Sequence, residues 1–423
     1  MSEQPGAANA DVIVLGAGMA GLVAAIRLAE AGLRVVTVAK GYGSLRLAPA
    51  TIDILGYGPE PVDSPAQALA GFAAAHPEHP YALISQVMLA DSVQWLKEHV
   101  DTYAYVGDPS TNMLLPTAIG VPRPSAVVPE TMAGGDVRRL GPVLIAGFGV
   151  LKDFHPALAA ENLQAAANVV EARPVLLNAP VDGQADVGAL ALARRFEDAA
   201  FRGAVAAELR AAVRGEEAIG LPAVLGVDQA RSAWTELQQA VGRPVFEIPT
   251  AVPTSVPGMR LDRALAARLR RAGGRLVLGA EATGPELRNG RLAGVRIRSA
   301  PRVTARACRW VVLATGGLAS GGIEVDVSGA VSERALGLPV HAPGPGETRF
   351  GPGYLGDHPM DTAGLRVDGS LRPVGPDGEP VYPNVYAAGA VIGGARPWRE
   401  KSGDGISLST GYLAAEAILK EAG

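Results

Sequence analysis

The sequence predicts an α/β fold in which one parallel-sheet domain is interrupted by a second α/β domain. Three observations predict it. A short apolar run, Asp11 to Leu15, leads straight into Gly16-Ala17-Gly18-Met19-Ala20-Gly21 and then into a helical pattern. Two later runs, Trp310 to Ala314 and Asn384 to Ala388, also lead into glycine. Between them, about 141–250 carries its own alternation of strand-like and helix-like segments.

The elements follow in order. Asp11 to Leu15 (DVIVL) is β-branched and apolar, as a buried parallel strand requires. Leu22, Ala25, Ile26 and Leu28 recur at helical spacing up to Ala31, and Gly32 stops that helix. Leu33 to Val38 is a second strand, which completes a βαβ start. Lys40 to Pro65 reads as loop, Ala66 to Ala75 and Gln86 to His99 as helices, and the five prolines of Pro109 to Pro129 as irregular chain. In the middle, Val143 to Ala146, Pro174 to Leu177, Pro222 to Val227 and Val245 to Ile248 are strand-like. His155 to Ala167, Ala189 to Val213 and Ala230 to Val241 are helical. Pro249 to Pro257 reads as a linker and Leu261 to Ala272 as an amphipathic helix. Leu276 to Leu278, Leu292 to Ile297 and Trp310 to Ala314 are strands, and Ile406 to Lys420 is a final helix.

Composition bounds what this fold can do. At roughly 150 residues per domain, 423 residues make two or three domains. With 48% hydrophobic and 19% charged residues there is ample core and no signature of disorder. A net charge of −4 without a basic block excludes a nucleic-acid footprint. The single cysteine, Cys308, excludes a disulfide framework, a Cys-x-x-Cys pair and an iron–sulfur cluster held by this chain alone. No His/Asp/Glu set has metal-ligand spacing, so no metal site is expected. Met1 to Ala10 lacks the regions of a signal peptide, and uncharged apolar stretches fall short of the ~20 residues of a membrane span. A soluble chain is expected, any membrane link coming through partners. The 53 glycines are the compositional outlier.

Part of that excess carries chemistry. In Gly16-x-Gly18-x-x-Gly21, the first glycine permits the tight turn, the second lets backbone approach a pyrophosphate, and the third lets helix pack on strand. The phosphates then meet the helix N-terminus, where free N–H groups and the macrodipole favour negative charge. This points to a bound dinucleotide or flavin, involving Gly16, Ala17, Gly18, Met19, Ala20 and Gly21. The alternative is a turn that needs glycine for packing alone. An acid that would hold an adenosine ribose should end the second strand. Ala39 stands there, followed by Lys40, which has the reach for a phosphate. Ala314-Thr315-Gly316-Gly317 and Gly389-Ala390, followed by Gly393-Gly394, add two more strand-to-glycine junctions, as a large two-domain flavoprotein requires.

Six segments carry a resemblance in order along the chain: Asp11–Gly32, SLRLAPATIDIL from Ser44, GFGVLKDFHPAL from Gly147, PTAVPTSVPGMRL from Pro249, VVLATGGLASGG from Val311 and NVYAAGAVIGG from Asn384. The chain resembles the flavoprotein superfamily of succinate dehydrogenase and fumarate reductase, and within it the B subunits of anaerobic glycerol-3-phosphate dehydrogenase. The resemblance implies a discontinuous Rossmann-like flavin-binding domain (8–140 and 258–423) with an inserted second α/β domain for substrate or partner (141–250). Residues 325–365 would form a loop cap. It implies FMN or FAD, with FMN suggested by the family and compatible with the missing acid. It further implies oxidation of glycerol 3-phosphate to dihydroxyacetone phosphate, with electrons passed towards quinone. Implied partners are a sister catalytic flavoprotein subunit and an iron–sulfur membrane-anchor subunit, which would set the chain at the inner face of the cell membrane from the cytoplasm. A fumarate reductase-like enzyme acting on a carbon–carbon bond, and a flavin-binding subunit without chemistry of its own, are the alternatives.

Such an oxidation needs a hydride acceptor, a phosphate site and a base for the hydroxyl proton. Arg260, after the proline-rich stretch, is the first candidate for the phosphate and Arg349 the second. His358, in Asp357-His358-Pro359, is the candidate base, with His341 nearby. Ser44, Thr51 and Asp53 are candidate contacts to flavin phosphate or ribose. Gly405 and Ile406, at the start of the last helix, are candidates to face the flavin's pyrimidine edge.

Overall fold

The structure is a computed structural model describing residues 10–167, 171–178, 185–216, 218–250, 253–344 and 346–423. Of the segments read above, Met1 to Asn9, residues 168–170, 179–184 and 217 of the expected inserted domain, Ala251 and Val252 of the proline-rich stretch, and Pro345 of the expected cap lie outside these residues. The chain divides into two compact units. The first comprises the segment up to Ser44, Ala68–Val93 and Leu265–Gly423; the second comprises Leu45–Gln67 and Gln94–Ala264.

The first unit is built on a five-stranded sheet whose pairings are all parallel. Its order is Arg275–Leu278, Val35–Ala39, Val12–Leu15, Trp310–Leu313, Val385–Ala387. Val12–Leu15 is central and buried at every position, which is why its sequence shows no polar alternation. It pairs Val12 with Val35 on one side and with Trp310 on the other, so late strands complete the sheet that the N-terminus begins. The fingerprint helix Met19–Glu30 packs against the C-terminal helix Gly403–Ala422. A Cβ on Gly411 would lie 2.4 Å from the Ala20 carbonyl oxygen, so the two backbones are in direct contact there. An Arg27–Glu416 ion pair joins the same helices, with the Arg27 guanidinium 3.7 Å over the Tyr412 ring. An antiparallel meander, Ala280–Arg288, Arg291–Ser299 and Arg302–Ala307, follows the edge strand.

The second unit has a four-stranded parallel sheet in the order Val245–Ile248, Ala218–Pro222, Val143–Phe148, Ala172–Leu177. Helices Pro156–Ala167, Ala189–Arg195, Ala199–Ala212 and Ala230–Val241 accompany it. Phe148, Phe196 and Phe201 form edge-to-face pairs in its core.

Several expectations change. The unit boundaries do not fall at 140 and 250. Tyr105–Gly107 pairs with Val127–Pro129 and Met113–Pro116 with Pro122–Ser125, so the proline-rich stretch is two short ladders rather than irregular chain. Two-stranded ladders tolerate proline because each strand has a free edge. Leu114 and Ala118 pack on the second unit's core, which is why this stretch groups with it. The strand expected at Pro222–Val227 is Ala218–Pro222. Beyond Pro222 the chain turns through Gly226 (φ +85°), and Val224, Leu225 and Val227 are apolar because they are buried as loop. The long helix 189–213 breaks where Asp198 caps Ala200 N at 2.8 Å. The helix expected from Leu261 begins at Val256, with Pro257 in its first turn.

Candidate functional site

In the first unit the three glycine clusters meet at the C-terminal edge of the sheet. Gly16 has φ +115°, and its N–H donates to the Val38 carbonyl at 2.8 Å. A Cβ on Gly16 would lie 2.0 Å from the Ala314 carbonyl oxygen, and one on Gly21 would lie 2.2 Å from that of Gly16. These two glycines are steric requirements of the turn itself. Gly18 differs, since a Cβ there would meet nothing within 4 Å. It leaves open space in front of the helix start at Met19, where a pyrophosphate has to approach.

The later clusters close around the first. A Cβ on Gly317 would lie 2.6 Å from the Ala390 carbonyl oxygen, and one on Gly389 (φ +74°) would lie 3.0 Å from the Ala20 Cβ. Gly389 N–H donates to Thr410 Oγ1 at 2.8 Å, which ties this loop to the C-terminal helix. The structure thus brings Gly16, Ala17, Gly18, Met19, Ala20, Gly21, Ala314, Thr315, Gly316, Gly389 and Ala390 to one edge of one sheet. Thr315 Oγ1 is buried without a hydrogen-bond partner. An orphaned hydroxyl, a cradle lined by glycine backbone and a helix N-terminus fit a flavin nucleotide. Gly405 and Ile406 lie inside the C-terminal helix, which starts at Gly403, and Ile406 N–H already bonds Ser402 O at 3.0 Å. Ile406 is therefore within the first turn instead of at its opening.

Other expected residues are placed elsewhere. Lys40 is at the end of the second strand, its Nζ 2.8 Å from Glu281 Oε2. Ser44 is exposed at the start of a short 3₁₀ turn, Ser44–Leu47. Thr51 belongs to the second unit, where its hydroxyl donates to Asp53 Oδ1 at 3.0 Å. Asp53 also takes Ser125 Oγ and pairs with Arg123, so its oxygens are committed within that unit. Thr51, Arg123 and Ser125 line a cavity of about 370 Å³ walled by Leu47, Leu115 and Ile119.

Arg260 is not a phosphate ligand. It sits inside the helix Val256–Arg271 with its side chain 1% exposed, and its guanidinium spans Glu247 at 2.6 and 2.9 Å. Its Nε donates to Gly226 O at 2.9 Å, so each of its three nitrogens is engaged within the protein. Burial by itself would raise the Glu247 carboxyl, but the charge and bonds of Arg260 outweigh it and hold the carboxyl below its usual value. His358 is likewise occupied. Its Nδ1 accepts from Gly351 N–H at 2.9 Å and its Nε2 donates to Tyr354 O at 3.1 Å, which leaves no ring nitrogen for a substrate proton. Arg349 donates to Gly329 O.

His341 has better company. Leu365 pairs in parallel with Ile392 beside the third glycine cluster, and a Cβ on Gly364 would lie 2.3 Å from Gly393 N. His341 in turn exchanges backbone hydrogen bonds with Gly364. This ladder sets His341 and Arg366 side by side, with Arg366 donating to His341 Nε2 at 3.3 Å and to Glu78 at 2.8 Å. They line a cavity of about 210 Å³ with Glu78, His79 and the backbone of Gly393 and Gly394. His79, outwardly a loop residue, is 2% exposed and bonds Glu400 at 3.1 Å. Neither Arg366 nor Glu78 carries a motif. The readable signal is the glycine at 364, which sheet-like approach to Gly393 requires. Among the described residues no group of His, Cys, Asp and Glu is arranged to hold a metal ion.

Comparison with known proteins bears on this geometry. A family model described as "FAD binding domain" matches residues 11–406. The B subunit of a probable anaerobic glycerol-3-phosphate dehydrogenase from Halobacterium salinarum is 32% identical, over 98% of this chain and 100% of that one. The B subunit of the anaerobic glycerol-3-phosphate dehydrogenase of Pectobacterium carotovorum is 33% identical, over 97% of this chain and 99% of its own length. A flavocytochrome c3 fumarate reductase in its open conformation overlays 98% of this chain and 78% of that chain at 11% identity and a TM-score of 0.47, a likeness too distant to carry a conclusion.

Proposed function

The chain belongs to the FAD-binding-domain family, and within it to the B subunits of anaerobic glycerol-3-phosphate dehydrogenase; from that premise we propose that it is a flavin-dependent oxidoreductase subunit that serves oxidation of glycerol 3-phosphate to dihydroxyacetone phosphate. The observation that carries this reading is identity above 30% with B subunits along essentially the whole of both chains. It is supported by a sheet edge where three glycine clusters leave room for a nucleotide.

A flavin bound at this sheet edge would supply the hydride-accepting chemistry that oxidation of the carbinol carbon requires. The protein's part is to place that carbon, hold the phosphate and take the hydroxyl proton. Gly18 and the start of the fingerprint helix receive the flavin's phosphate. Arg366, half-exposed at the 210 Å³ cavity, receives the substrate phosphate by exchanging its surface pair with Glu78 for a dianion. His341 takes the hydroxyl proton at Nε2, the ring nitrogen that faces Arg366. The two electrons leave through partner subunits towards quinone. The chain itself holds a single cysteine, and none of its helices, among the described residues, is long and apolar enough to cross a membrane. An iron–sulfur partner at the inner membrane face supplies the path, and a sister flavoprotein subunit shares the assembly.

The test is dye reduction by glycerol 3-phosphate in the assembled complex. Arg366→Ala should raise KM about tenfold or more with a smaller change in kcat, as removal of a charged hydrogen bond does. His341→Ala should lower kcat. Native kinetics in both variants, in a complex that turns over, would move the substrate site off these residues.

A further inference from the structure

The cavity of about 370 Å³ lies wholly within the second unit, where three segments tied to one another enclose it. In the ladder of Met113–Pro116 and Pro122–Ser125, Leu115 stands opposite Arg123, and Ser125 shares their face because strand side chains alternate. Asp53 fixes the Leu47–Thr51 segment to this ladder, taking Thr51 from one and Ser125 and Arg123 from the other. Ser255, whose N–H donates to Arg46 O at 2.8 Å, stands with Pro249 and Thr250 as the third wall. Among the described residues that line the cavity Arg123 alone is ionisable, and its charge is met by the buried Asp53. The hydroxyls of Thr117 and Thr250 also line it, each buried without a hydrogen-bond partner. The rim is apolar: Leu47 is 63% and Ile119 49% exposed, and Val121, 44% exposed, accepts Thr117 N–H in the same turn.

We propose that this cavity binds the ring of a quinone, with the apolar tail lying over Leu47, Ile119 and Val121; the inference rests on the reading above that electrons pass to quinone, and gives that acceptor a seat on this chain itself. The volume is that of a small-molecule site, and apolar walls with a few convergent polar groups are what such sites present. With the Arg123 charge met by Asp53, the cavity selects a neutral ligand. Buried hydroxyls are seldom left unpaired, so Thr117 and Thr250 call for polar atoms on an otherwise apolar body. A quinone ring supplies them as two carbonyl oxygens. A hydroxyl has one donor and two lone pairs, so the same two threonines serve the carbonyls of the quinone and the O–H groups of the quinol. Glycerol 3-phosphate lacks this complementarity, because a dianion needs positive charge that no carboxylate already meets.

Calorimetric titration of the full, flavin-loaded chain with decylubiquinone, which carries an alkyl tail, and with menadione, which carries none, tests the proposal. Both should bind saturably at one site, decylubiquinone more tightly. Thr117→Val and Thr250→Val should each weaken both ligands about two- to tenfold, the worth of a neutral hydrogen bond. Ile119→Arg, at an exposed position, should weaken decylubiquinone at least about threefold and menadione less. Absence of saturable binding, or native affinities in all three variants, would overturn it. So would displacement of the quinone by glycerol 3-phosphate, or binding to flavin-free chain alone with displacement by flavin, since either assigns the cavity to that ligand. Thermal melting separates a folding defect in a variant from a binding one, and the displacement titrations need no variant. Dye reduction by glycerol 3-phosphate in the assembled complex is read separately: its failure strikes the reading above, whereas loss of quinone binding with dye reduction intact strikes this proposal alone.

Discussion

Arg260 and Glu247 show what a single arginine can conceal. Both are buried, at 1% and 0% side-chain exposure, and each is the other's main partner. Arg260→Met would leave the carboxylate buried with only Thr131 Oγ1 and Leu225 N–H as donors. A loss of about 3–5 kcal/mol is expected, read as a lower urea midpoint. Glu247 ionises more readily in the fold than at its ordinary value of 4.5. Its contribution is therefore complete above that pH, and is lost as pH falls through the lower folded value. The deficit of Arg260→Met should accordingly shrink as pH falls and the Glu247 carboxyl is protonated, and a urea-midpoint difference that stays constant from neutral to acid pH would refute this. Cys308 gives a simpler case. Burial pushes its thiol up to about 12, so thiol reagents should label it only in denaturant. In sequence, neither partner set is visible. Arg260 reads alike whether it meets a phosphate or a glutamate 13 residues away, and Glu281 reads as one acid in a charged strand.

At the level of elements, what the sequence discloses is what sterics force upon it. Gly16 and Gly21 are legible because any Cβ there would strike backbone, so the motif is written into residue type. The central strands are legible because burial on both faces leaves only apolar residues. Pro222 to Val227 misleads for the same reason: burial makes a loop as apolar as a strand. Arg366 escapes notice because its position comes from Leu365 pairing with Ile392, a contact between separate segments that no local pattern records. The joint between the fingerprint and C-terminal helices is the element-level test. Gly411→Val would drive side-chain atoms into the Ala20 backbone. It should cost on the order of 1–3 kcal/mol and reduce flavin retained on purification, by absorbance per chain. Undiminished melting temperature and flavin content would show that the helices do not rely on this contact.

The whole molecule consists of two compact units, each with its own parallel sheet, and the glycine clusters belong to one of them. Calorimetry should resolve two transitions, of which flavin raises one, by about 2.7 kcal/mol at a hundredfold excess over Kd. A single transition that shifts as a whole would show the units to be one cooperative body. Their threading has a consequence in time. The sheet edge that receives the nucleotide joins Val12–Leu15 to Trp310–Leu313, so it cannot exist until synthesis has passed far beyond the fingerprint. Roughly 270 residues separate the second strand from Trp310–Leu313, the strand that covers the other edge of Val12–Leu15, about 14–54 s of translation at 5–20 residues per second. Throughout that interval the nascent chain carries Val12–Leu15 without its inner neighbour, an apolar strand with an open edge. Most of the second unit, Gln94–Ala264, emerges within the same interval. A newborn copy is thus committed to a long wait with its most adhesive strand uncovered, and its yield in the cell becomes a matter of chaperone supply and elongation speed before it is one of cofactor supply.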